Sequence, residues 1–384
     1  MEWSFTDEQR ELRRTVKRFV DEELRPVADE IDEKHEIPQR IIDAMAELGF
    51  LGVALPAEYD GVGMGEIGYV ILQEEISRAC ASTATFIGAH QSIGAATIAL
   101  YGDEEQKRKY LPPMARGEKI GAYALTEPES GSDAMNMKTT AVPDGDGYVV
   151  NGTKIWITNG ALADVVAVFC RVEGEREEES GPAAFIVERE FPGYRVGKVE
   201  EKMGIRGSST TELIFENMRV PAENLVGEVG QGARVAFGVL DVGRLGLAAA
   251  TLGAAKDAID RSIAYAGQRE AFGRKIQEFQ AVQFMLAEMA AETYAMESIV
   301  YRTAWMCDRG ERFSRESAIC KYFCSEALDR IVDKAVQIHG GMGYSAEMWP
   351  ERFYRDSRIN RIFEGTNEIQ RIVIARDLLK RGSY

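Results

Sequence analysis

Few residues in this chain could do chemistry unaided. There are only three histidines, His35, His90 and His339, and five scattered cysteines, none in a CxxC. HExxH is absent, and so is the GxSxG elbow of a serine hydrolase, which leaves little for zinc or Ser-His mechanisms. "HGGMG" (339–343) therefore lacks the partner an oxyanion loop needs, and His339 reads as a helix-end histidine. Cys320 and Cys324 stand four apart in an expected helix and could share a metal only with further ligands; buried free thiols are the simpler reading. One carboxylate stands out, in "RIFEGTNEIQRIVIAR" (361–376). Glu364 follows Ile362 and Phe363 and precedes Gly365 and Thr366, just before a helix begins. Apolar neighbours raise a carboxyl pKa and would make it a base near neutral pH. The alternative is a solvated loop acid.

Two other stretches could hold a ligand. "YALTEPESGSD" (123–133) gathers Thr126, Ser130, Ser132 and several backbone N–H groups, with Gly131 allowing close approach. It suits an anion or a polar cofactor ring, or is a capped turn. "KIWITNG" (154–160) alternates, so that Trp156 and Thr158 share a strand face, fit for a flat heteroaromatic ring or an ordinary half-buried strand. His90, among the small residues of "IGAHQSIGA", could line a cavity. "GMGEIG" (63–68) matches GxGxxG, but the Pro, Asp and Gly before it leave no strand to lead into a dinucleotide turn.

The elements that must position these residues fall into three blocks. Residues 1–120 read as helical. Thr6 and Gln9 form a capping box, and a helix after Pro38 carries Ile41, Ile42, Met45 and Leu48 on one face and stops at Gly49. Residues 121–230 turn to short Val-, Ile- and Thr-rich runs, among them "GYVVNGTKIWIT", read as a hairpin about Asn151-Gly152. Residues 231–384 return to long helical periods, enough for a bundle. Small residues at 247–256 permit close helix contact, and the Met, Tyr and Trp along 284–306 read as packing. The class is α+β, not doubly wound.

At 384 residues, two or three domains are expected. The net charge of −16 argues against nucleic acid or an anionic membrane as the main partner. "EGEREEES" (173–180) reads as a solvated loop. An odd cysteine count without a framework suggests a reducing compartment. Charges near the N-terminus leave no export signal in view, and no run reaches the ~18 apolar residues of a membrane span. The expectation is a soluble cytoplasmic protein with no metal site.

"YALTEPESGSD", "WITNG", "LDVGR", "QREAFGRKIQEFQAVQF", "AVQIHGGMGY" and "IFEGTNEIQR" together resemble the acyl-CoA dehydrogenase family in order and spacing, across essentially the whole chain. The forms "LDVGR" and "EGTNE" look most like its short-chain, butyryl-type branch. The resemblance implies an N-terminal helical domain, a central β-barrel-like domain and a C-terminal four-helix bundle, in an FAD-containing homotetramer.

It further implies that Glu364 removes the α-proton of an acyl-CoA thioester while the β-hydrogen leaves as hydride to flavin N5. A trans-2-enoyl-CoA results, and electrons pass to an electron-transferring flavoprotein. Some branches carry the base where this chain has Gly243, which cannot serve, and Phe363 stands where many members have Tyr. Tyr123, Leu125, Thr126, Gly131 and Ser132 would line the FAD, with Trp156 and Thr158 against its ring. Arg269, Gln280, the segment 337–341 with Gln337, Gly340 and Gly341, and Thr366, Asn367 and Glu368 would hold its adenine and pyrophosphate end, some from a neighbouring subunit, and Phe272 would also bind the cofactor. Asp241, Arg244, Gly365 and Ser132 would meet the substrate. The substrate is expected to be a short- or medium-chain acyl-CoA, and the lack of arginine in "TATFIGAHQSIGAA" (83–96) weakens a dicarboxylic one. Rival readings are an oxidase on the same fold and a non-catalytic CoA-ester-binding or helical scaffold protein.

Overall fold

The computed structural model describes residues 5–383. Residues 1–4 and 384 lie outside them. The chain opens with α1 (Asp7–Phe19), whose Thr6 side chain accepts from Gln9 N while Gln9 returns the bond, the reciprocal cap read from sequence. Next come α2 (Ala28–Lys34), α3 (Gln39–Glu47), α4 (Gly65–Ser77), α5 (Ala81–Ile87), α6 (Ala96–Tyr101) and α7 (Glu104–Ala115). Gly49 stops α3 at φ +73, as only glycine does without strain. Leu48 departs from expectation: it is 43% exposed, because it caps the helix and no longer follows its buried face. Gly88–Ala95 is π-helical, so a wide turn stands where a plain helix would run.

Eight strands follow: β1 (Gly121–Ala124), β2 (Thr140–Asp144), β3 (Gly147–Thr158), β4 (Val165–Val172), β5 (Gly181–Glu188), β6 (Tyr194–Val199), β7 (Thr210–Pro221) and β8 (Leu225–Val226). They make one sheet of order β6-β7-β3-β2-β4-β5-β8, with β1 alongside β4. The hairpin expected at Asn151-Gly152 is not there. β3 runs unbroken through both residues, with a bulge against β7. The tight turn falls instead at Gly145 (φ +62), between β2 and β3. Gly152 is needed for closeness: a Cβ there would lie 2.4 Å from Thr139 Oγ1. Asn151 Oδ1 takes the N–H of Asn217 at 2.7 Å and fixes the bulge. A second irregularity in β3, between Lys154 and Ile157, breaks the simple alternation expected of Trp156 and Thr158.

The C-terminal part holds α8 (Gly232–Gln268), the short ribbon β9 (Glu270–Ala271) and β10 (Arg274–Lys275), α9 (Gln280–Asp308), α10 (Ser314–His339), α11 (Trp349–Ser357) and α12 (Asn367–Arg381). By length and hydropathy α8 could cross a membrane, yet 67% of its most apolar window is buried inside the protein. The small residues expected to let helices approach do so: a Cβ on Gly253 would lie 1.9 Å from the Glu74 carbonyl of α4. One apolar core joins α4, α8, α9 and α10 through Val70, Leu252, Met296 and Ile331. Tyr294 is the exception to the packing read along 284–306, at 74% exposed.

Candidate active site

Glu364 lies in the turn between α11 and α12, at φ +55, a conformation unusual for a residue with a side chain. Its backbone is clamped from two sides. Arg244 Nε donates to its carbonyl at 3.2 Å, and Gln370 Nε2 donates to the carbonyls of Glu364 (3.2 Å) and Gly365 (2.9 Å). Thr366 caps α12 by accepting from Ile369 N. The side chain meets α8 where Gly243 leaves room, and Oε2 is buried without a hydrogen-bond partner. Burial pushes this carboxyl up to about 7, against the pull of Arg244 and Lys321.

The turn borders a cavity of about 810 Å³. Of the residues singled out from sequence, Tyr123, Leu125, Thr126, Gly131 and Ser132 line it from the β1–β2 side. Trp156 and Thr158 line it from β3, and Arg244, Gly365 and Thr366 lie beside Glu364. Trp156 is 54% exposed and sits at φ +60. Such a backbone costs roughly 1–3 kcal/mol, and residues held this way cluster at ligand and active sites. The walls deeper in are small or apolar: Gly88, Ala89 and Ile93 on the π-helical turn, and Leu240, Gly246 and Leu247 on α8.

Other expected residues fall elsewhere. Asp241 does not border the cavity; its carboxylate takes Arg244 Nη1 at 2.9 Å and Ser314 Oγ, so it aims the arginine. Asn367 is buried and its amide is already engaged by Lys321, Ser325 and Glu326. Glu368 is exposed. Arg269, Gly340 and Gly341 border a second cavity of about 400 Å³ with His339. Gln280 and Gln337 are exposed on α9 and α10, and Phe272 is 96% exposed. Within one chain, then, Thr366 is the one expected adenine-end residue that borders the cavity of the expected ring-end residues; Arg269, Phe272, Gln280, Gln337, Gly340 and Gly341 do not.

Sequence reading missed what holds the Thr126–Ser132 loop. Lys154, fully buried, donates to the Leu125 carbonyl (3.0 Å) and to Glu127 Oε1 (2.7 Å). Glu127 also takes the N–H groups of Lys138 and Thr139. Burial alone would raise the Glu127 carboxyl; Lys138 N–H and the Lys154 charge bring it below the usual range. The signal was a charged pair 27 residues apart, which no periodicity reveals. His90 does not line the cavity. Its Nδ1 accepts from Gly121 N (2.9 Å) and its Nε2 meets the Met114 carbonyl (3.1 Å). Burial pushes it down to about 4, so it is a neutral structural histidine. The five cysteines are free, and among the described residues no group of three or more His, Cys, Asp or Glu could hold a metal.

A flavin fits what is present: a half-exposed tryptophan plane beside a hydroxyl, a polar loop with open backbone at Gly131, and a buried carboxylate oxygen with no partner. Three segments match the acyl-CoA dehydrogenase family: residues 6–118 its N-terminal domain, 122–218 its middle domain and 230–379 its C-terminal domain. The chain is 42% identical to a short-chain-specific acyl-CoA dehydrogenase of Clostridium acetobutylicum, over 98% of this chain and 99% of that one. It is 46% identical to a probable acyl-CoA dehydrogenase of Bacillus subtilis, over 98% of this chain but only 66% of that protein's length. Butyryl-CoA dehydrogenase from Megasphaera elsdenii superposes with a TM-score of 0.95 at 39% identity, covering 99% of this chain and all of that one. An acyl-CoA dehydrogenase complexed with FAD, from Bacillus anthracis, gives 0.93 at 44% identity over 99% and 68%. With all three of its segments matched and its fold shared from end to end, the chain belongs to the acyl-CoA dehydrogenase family of FAD-dependent oxidoreductases.

Proposed function

We propose that this protein dehydrogenates a short- or medium-chain acyl-CoA to the trans-2-enoyl-CoA, with Glu364 as the base that takes the α-proton. The carrying observation is the Glu364 carboxyl: raised to about 7 by burial, with one oxygen unpartnered, at the edge of the cavity. An α C–H beside a thioester is a weak acid, and a base works best with a pKa near the working pH. The clamp from Arg244 and Gln370 holds the turn, so the carboxylate need not reorganise as it reacts. The backbone N–H of Glu364 is the donor we assign to the developing enolate oxygen. Gly365 has no side chain to block the approach of a thioester.

FAD would be held at its ring end by Tyr123, Leu125, Thr126, Gly131, Ser132, Trp156 and Thr158. When bound it supplies the acceptor, flavin N5, for the β-hydrogen as hydride. Arg269, Phe272, Gln280, Gln337, Gly340 and Gly341 we assign to the adenine end of a neighbouring subunit's cofactor, because they lie apart from the ring-end residues of their own chain. The bare aromatic rings of Phe272, Phe284, Tyr294 and Tyr344 support an assembly that covers them, which we take as a homotetramer. The acyl chain would run between the π-helical turn and α8, where small and apolar walls suit a neutral tail. Electron-transferring flavoprotein is the acceptor we assign.

The test is anaerobic. Butyryl-, octanoyl-, isovaleryl- and glutaryl-CoA are added separately to the purified yellow protein. Bleaching of the flavin band by a straight-chain ester supports the reading and ranks chain length. A protein that none of them bleaches contradicts it, and release of hydrogen peroxide in air would favour an oxidase instead.

A further inference from the structure

Lys321, on α10, does not border the cavity, and its side chain has no exposure to solvent. Burying an ammonium is costly unless it is paired. Among the described residues it has no carboxylate within 4.0 Å, and its one hydrogen bond goes to an amide: Nζ donates to Asn367 Oδ1 at 2.8 Å. Asn367 opens α12 directly after the Glu364–Thr366 turn, and Ser325 and Glu326 hold its Nδ2 at 2.9 Å each. The other cation beside Glu364 is Arg244, but its charge is answered by Asp241 at 2.9 Å.

We infer that Lys321 is a positioning residue for the base: its buried ammonium, tethered through Asn367 to the root of the turn, anchors Glu364 and holds its carboxylate in the charged form. The inference rests on the assignment of Glu364 as base. Burial pushes Lys321 down to about 7, and the nearby Glu364 charge is the leading influence that holds it up. Lys321 in turn pulls the Glu364 carboxyl down. Each charge thus favours the charged form of the other. The other groups bearing on them are Arg244 and Asp241 from α8, Tyr69 from α4, Tyr123 from β1, Glu326 from α10 and Glu368 from α12.

The test uses FAD-loaded enzyme with Lys321→Gln, Lys321→Met and Lys321→Arg. The Glu364 carboxyl is titrated by infrared difference spectroscopy, its band identified by its loss in Glu364→Gln, alongside the pH profile of kcat/KM. The carboxyl band and the rising limb should both move up by about one unit or more in the Gln and Met variants, and return toward wild type in the Arg variant. Either neutral variant that retains flavin suffices. A limb and band that stay in place while the rate falls evenly at every pH make Lys321 a mere strut and overturn the inference. Failure of the base assignment is separately visible, as turnover by Glu364→Gln.

Discussion

A Cβ placed on Gly243 of α8 would lie 2.5 Å from Oε2 of Glu364 and 2.8 Å from Ile93 Cγ2. Real Cβ atoms do not approach that closely, so a side chain at 243 would have to displace the Glu364 carboxylate and Ile93 together. The position that cannot carry a base here is thus the one whose emptiness lets Glu364 reach the cavity. Gly243→Ala should displace the carboxylate from its productive place. We expect a loss of tenfold or more in kcat with flavin content retained, measured by steady-state turnover and the visible spectrum. A variant with wild-type kcat would show that the carboxylate moves freely.

The loop that borders the ring end depends on a buried ion pair. Removing one partner of such a pair costs about 3–5 kcal/mol, since the other charge is left alone. Lys154→Met should leave Glu127 uncompensated, loosen Thr126–Ser132, and weaken flavin retention more than it weakens the helical core. Flavin release on dilution, followed by fluorescence, checks this. The double variant Lys154→Met, Glu127→Gln should recover part of the loss.

Some of this was legible in sequence. Thr6 with Gln9, Gly49 and the Glu364–Thr366 turn are local signals, each set by neighbours within a few residues. Asn151-Gly152 was misread because Asn-Gly announces an unusual backbone, not which kind; the partner strand β7 decides for a bulge. Leu48 fitted the helical period but fell at the cap, where the period ends. Lys154, Glu127 and Lys321 were invisible for another reason. Their partners are distant in the chain, and one sequence does not say which elements meet.

A second buried acid gives a pH effect on stability apart from catalysis. Glu66, at the start of α4, is pushed up to about 8 by burial and by Asp308, whose carboxylate takes the N–H groups of Glu66 (2.6 Å) and Ile67 (3.1 Å). Its unfolded value is near the ordinary 4.5. Between those values the folded state keeps a proton that the unfolded chain has lost. The contribution is therefore present at low pH and is lost as pH rises through about 8. Glu66→Gln should flatten the fall in Tm over that window and be more stable than wild type above it. Calorimetry across the window decides, and an equal slope in both proteins would contradict the assignment.

Removal of the α-proton by Glu364 is tested by the rate of anaerobic flavin bleaching by an acyl-CoA in Glu364→Gln. Gln keeps the size and the backbone clamp but cannot accept the proton. The protein should stay yellow while its bleaching slows by roughly 10²–10⁴-fold, the usual worth of a positioned base. Bleaching within a few-fold of wild type would contradict it.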